Sequence, residues 1–208
     1  MAKVFYLCAA LAAASLTGCA GPSADVHVAR PDPAAAALQG EPTYAMARTQ
    51  PQEGSTDHPQ AEKLVRDELA KHGFVDSDGK QAHYRVSMAY STRLASVGIG
   101  GKDCEPADCG DSGGGLGALM FGRAYRHTLT LRFFDYANGE ERYKVSAVFV
   151  DRNADPLHAL PLLAKTALAK LPFDEPADWR VKLSIDKTSG AASVESMKPL
   201  QPLQPLQR

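Results

Sequence analysis

The chain has 208 residues, with 23 basic against 24 acidic side chains and a formal net charge of −1. That balance argues against a nucleic-acid binder, which needs a basic face or stripe. With 44% hydrophobic residues the chain can support one domain with a real core.

Met1-Ala-Lys3 supplies one positive charge, and Val4 to Leu16 is an apolar run broken only by Ser15. The run is too short to span a bilayer as a helix, but it suits the core of a signal peptide. It ends in Leu16-Thr-Gly-Cys19, which matches the bacterial lipoprotein cleavage box. Small residues let a peptidase approach the backbone, and the thiol of Cys19 becomes the point of lipidation. The alternative is an ordinary secretory peptide that happens to contain a cysteine. Residues 1–18 are accordingly assigned to a signal peptide, and two or three acyl chains at ~0.8 kcal/mol per buried methylene give stable attachment. The resemblance to bacterial lipoproteins also implies a sorting rule. Ala20-Gly21 lacks the aspartate that typically retains lipoproteins in the inner membrane, so the expected location is the periplasmic face of the outer membrane.

Residues 19–42 are rich in Ala, Pro and Gly, and read as a lipidated flexible tether reaching ~80 Å if fully extended. The next interval, 43–186, reads as the folded domain. Thr43-Tyr-Ala-Met-Ala is a short strand. Gln60 to Lys71 is a helix with Ala61, Leu64, Val65, Leu69 and His72 on one stripe, Pro59 in its first turn and Gly73 as its stop. His72 reads as a packed or capping side chain rather than a ligand.

Strands follow. Tyr84, Val86, Met88 and Tyr90 alternate with His83, Arg85, Ser87 and Ala89, and Leu129, Leu131 and Phe133 alternate with Thr128, Thr130 and Arg132. Asn138-Gly139 signals a hairpin, and the returning strand carries Tyr143, Val145, Ala147 and Phe149. Asp155-Pro156 opens a second helix with Leu157, Leu160, Ala164, Leu168 and Leu171. Pro161 inside it implies either a start one turn later or a kinked first turn. Trp179 to Asp186 is a last alternating strand. The order is β-α-β-β-β-α-β, and the in-out alternation predicts a mostly antiparallel sheet with one covered face. The fold class is α+β, a two-layer α/β sandwich with two helices on one face. Residues 187–208, which include the Pro-Leu-Gln triplets from Pro199, read as a disordered tail, with a polyproline II docking strip as the alternative.

These segments together resemble the bacterial lipoprotein family catalogued as domain of unknown function 4136. The resemblance rests on Thr43-Tyr-Ala, Leu69-Ala-Lys-His-Gly-Phe74, the strand His83 to Tyr90, a glycine-rich insert, Thr128-Leu-Thr-Leu-Arg-Phe-Phe-Asp135 and Lys170-Leu-Pro-Phe173. In the returning strand, near Tyr143, a tryptophan common in that family is replaced. The family carries no established catalytic residues, so the resemblance implies none here.

Cys109-Gly-Asp-Ser-Gly-Gly-Gly-Leu-Gly117 has the look of a serine-protease nucleophile loop, and nine of the 17 glycines lie between Gly98 and Gly122. Ser112 has no histidine base in the required context, and no lysine stands where a phosphate cradle needs one. The segment reads as a flexible loop. With Cys8 lost in the signal peptide and Cys19 acylated, Cys104 and Cys109 remain as an expected disulfide in an oxidising periplasm. Zinc would need two more ligands in register, which the sequence does not offer. The acids Asp103, Glu105, Asp108 and Asp111 fit no calcium loop. Neither a catalytic residue nor a metal or cofactor is expected. Leu116 to Phe121 either completes a strand or presents a small apolar patch.

The expected function is a non-enzymatic outer-membrane lipoprotein, a periplasmic binding or envelope-assembly accessory with envelope protein partners. The alternative is a lipid- or substrate-handling auxiliary subunit of an envelope transporter. A hydrolase using Ser112 is the third reading.

Overall fold

A computed structural model describes residues 21–29, 38, 40–77, 79, 81–95, 123–172, 178–186, 188 and 192–200. The strands are β1 (Ser23–Ala29), β2 (Thr43–Ala47), β3 (Val75–Asp76), β4 (Tyr84–Leu94), β5 (Tyr125–Asp135), β6 (Glu141–Asp151), β7 (Asp178–Ile185) and β8 (Ala192–Pro199). The helices are α1 (Gln50–Glu53), α2 (His58–Lys71) and α3 (Pro156–Leu168). All eight strands form one sheet in the order β3-β2-β4-β5-β6-β1-β7-β8. β2 runs parallel to both β3 and β4, and every other pairing is antiparallel. The α+β class and the mostly antiparallel sheet are as the alternation predicts.

The hairpin forms where Asn138-Gly139 signals it. Gly139 has φ +74°, and Asp135 Oδ1 accepts from Ala137 N at 2.9 Å. A positive φ is inexpensive only for glycine, which is why this residue sets the β5–β6 register. Gly73, at φ +82°, likewise lets the chain leave α2.

The register places Val86, Leu131, Val145, Val28 and their in-phase neighbours on one face. Against that face pack α2, through Ala61, Val65 and Leu69, and α3, through Leu160, Leu163 and Leu168. Trp179, Tyr44, Tyr143 and Phe133 are the largest fully buried side chains. α3 keeps Pro161 inside a continuous helix, begun by Asp155, whose side chain accepts from Leu157 N. Of the two alternatives for this helix, the later start is therefore excluded.

Two boundaries need correction. The interval 19–42 is not a tether throughout, because Ser23–Ala29 lies in the sheet between β6 and β7. Ala24, Val26 and Val28 are buried, while Asp25 and His27 face the open side. Arg180 reaches Asp25 from β7 with bonds of 2.6 and 3.0 Å, and His27 Nδ1 lies 3.0 Å from Asp178. The interval 187–208 is not a tail throughout either. Ala192–Pro199 pairs with β7 along a register that shifts between Lys182 and Leu183. In each case a run with weak propensity gains backbone partners from a neighbouring strand edge, and tertiary pairing overrides composition.

Candidate functional site

The antiparallel register brings the start of β1, the ends of β4, β6 and β7, and the starts of β5 and β8 to one end of the sheet, here named the upper end. A polar network closes it. His127, 1% exposed, faces Thr92 across the β4–β5 ladder. Its Nδ1 lies 2.9 Å from Thr92 Oγ1, and its Nε2 lies 3.0 Å from Asp151 Oδ1. Asp151 also meets His158 Nε2 at 3.1 Å and accepts from Asn153 N at 2.9 Å.

The carboxylate can only accept, so in neutral His127 the proton sits on Nε2, and Nδ1 accepts from the Thr92 hydroxyl. Hydroxyl, imidazole and carboxylate are thus wired in line, as in a proton relay. The same bonds have a structural use. Asn153 Oδ1 accepts from Asp155 N, and Asp155 Oδ1 accepts from Leu157 N, both at 2.9 Å. The network therefore carries the chain from β6 into α3 while leaving no polar atom of His127 without a partner. Sequence reading did not find it. The signal was His127 at an inward position of a strand whose other inward residues, Leu129, Leu131 and Phe133, are apolar.

A second cluster ties α2 to β2 and β3. Glu62 is 2% exposed. Arg48 donates to it from Nε at 2.6 Å and Nη2 at 2.8 Å. Arg66 donates from Nε at 2.8 Å and Nη2 at 2.6 Å, and also pairs with Asp76. His58 Nε2 lies 3.6 Å from Glu62 Oε2. The hydrogen bonds from Arg48 hold the Glu62 carboxyl down at about 2, with Arg66 adding to the effect and burial opposing it. Arg48, Arg66 and Asp76 also line an open cleft of ≈ 810 Å³ beside β2 and β3. Both guanidiniums already serve carboxylates, and these ion pairs hold α2 against β2 and β3.

Cys19, Cys104, Cys109 and Ser112 lie outside the described residues, as does Leu116 to Phe121. His72 is partly buried, with Nε2 4.0 Å from Glu68 Oε1 on its own helix. Among the described residues, no group of three or more His, Cys, Asp or Glu side chains could hold a metal ion.

No family model matches the chain, and no curated protein does. Solved structures are similar in part. A PDZ domain protein from Parabacteroides distasonis is 12% identical at a TM-score of 0.47, over 85% of this chain. This chain spans only 43% of the length of that protein. Two structures of the PelC dodecamer from Paraburkholderia phytofirmans are 14% and 13% identical, each at a TM-score of 0.42, over 70% of this chain and 95% of theirs.

Proposed function

We propose that the chain is a non-enzymatic envelope lipoprotein, anchored through Cys19 in the outer membrane and facing the periplasm as a binding or assembly accessory. The observation that carries this reading is Leu16-Thr-Gly-Cys19 at the end of the apolar run Val4 to Leu16. A disulfide between Cys104 and Cys109 belongs to the same reading, because an oxidising compartment favours the bridge. Among the described residues no helix is long and apolar enough to cross a membrane.

The test is Cys19→Ala with radiolabelled palmitate and membrane fractionation. Wild-type chain is expected to take up label and to sediment with the outer membrane, while the variant loses the label and appears unprocessed or soluble. Label retained by the variant at wild-type level would refute lipidation. Wild-type label found in the inner membrane would refute the sorting assignment alone.

A further inference from the structure

The upper end of the sheet carries a set of cations that make no close ion pair with a described residue. Arg93 on β4 stands directly opposite Arg126 on β5, and like charges so placed oppose pairing. Ala95 N donates to Ala124 O at 2.8 Å, extending the ladder one step and bringing Arg123 to the same end. Arg152 follows Asp151 at the end of β6. All four arginines are exposed, and none makes an ion pair with a described residue. The described acids of this end are engaged elsewhere. Asp25 pairs with Arg180, and Arg126 also helps to hold its carboxyl low. Asp151 holds His127 and His158, Asp155 caps α3, Asp186 accepts from Thr188 N, and Glu195 pairs with Lys182.

Large apolar side chains are exposed at the same end: Leu94 at 54%, Val150 at 47% and Ile185 at 48%. Basic and apolar groups mixed on one rim match a lipid–water interface, where cations meet phosphates and apolar side chains meet the acyl boundary.

The chain also arrives here. Pro22 O accepts from Leu183 N at 2.8 Å, and a Cβ on Gly21 would lie 2.4 Å from Leu183 O. Backbone is therefore fixed against β7 two residues beyond Cys19. Three residues separate Cys19 from Pro22 in numbering, a reach of about 10 Å at most. This end of the sheet is therefore tied close to whatever surface holds Cys19.

The geometry points to the upper end as a surface that lies flat on an anionic bilayer, with Arg93, Arg123, Arg126 and Arg152 against lipid phosphates and Leu94, Val150 and Ile185 at the interface. Its placement beside the anchor rests on lipidation at Cys19, but the affinity of the surface does not.

The test uses an unacylated chain of residues 20–208, which holds every described element, in flotation with vesicles. Phosphatidylethanolamine–phosphatidylglycerol vesicles are expected to carry it, and phosphatidylcholine vesicles are not, with binding lost as salt rises. The double variant Arg93→Gln/Arg126→Gln should bind about 25-fold more weakly, about fivefold per arginine. Lys144→Gln, at the far end of the same face, should leave binding unchanged. Binding to neither vesicle, or an equal loss with Lys144→Gln, would overturn the proposal. Failure of palmitate labelling at Cys19 would remove the anchor and leave this measurement standing.

Discussion

Glu62 shows what one buried charge does when four donors surround it. Its carboxyl stands at about 2 against an ordinary 4.5. A carboxyl lowered on folding stabilises the fold fully above the unfolded value, and the stabilisation is lost as pH falls through the folded value. The window therefore runs from about pH 4.5 down to about pH 2. The shift corresponds to about 3 kcal/mol at neutral pH. Glu62→Gln should lower stability by that order at pH 7, and the gap to wild type should close across the window. Urea unfolding at stepped pH checks this. A gap independent of pH would assign the loss to packing instead. Part of the loss would be the guanidiniums of Arg48 and Arg66, each left without a carboxylate on α2.

At the scale of elements, the two strands at the ends of the described chain have opposite worth. β1 has both edges paired and buries Ala24, Val26 and Val28, whereas β8 is an edge strand whose residues are mostly exposed. A chain beginning at Thr43 should lose its cooperative urea transition, because β6 and β7 are left with facing edges and a gap in the core. A chain ending at Asp186 should keep that transition at a reduced midpoint. The reverse ranking would show that β1 is dispensable, as a tether would be.

The same contrast explains what could be read in advance. β4, β5 and β6 are long and alternate over most of their length, and β5 and β6 are joined by Asn138-Gly139, so local signals and tertiary pairing agree. β1 does alternate, with Ala24, Val26 and Val28 inward, but it is short and runs into Arg30-Pro-Asp-Pro-Ala-Ala-Ala-Ala, whose composition dominates any window. β8 could not be read by alternation at all, since its register shifts and Glu195 interrupts the pattern. In the site, His127 was visible as an inward polar residue. Its partners Thr92 and Asp151 belong to other strands, and only the register joins them. Glu62 hid on α2 for the opposite reason, because a glutamate beside an apolar stripe ordinarily faces solvent.

Across the whole molecule, the sheet joins segments from both ends of the chain. Asp25 and Arg180 are hydrogen-bonded although they stand 155 positions apart. Assembly must therefore run against the order of the chain, because β1 comes first and has no sheet partner until β6 is available. Closing so long a loop before any contact rewards it slows folding, and chains dominated by distant strand pairs refold in milliseconds to seconds. Refolding of residues 20–208 from urea should fall in that range, and completion within microseconds would contradict it. Until β7 joins, β1 docked on β6 presents an outer edge with nothing beside it, and an edge of that kind accepts strands from other chains. The stage most exposed to aggregation is thus the interval between docking of β1 on β6 and arrival of β7, and neighbouring unfolded copies do their harm there.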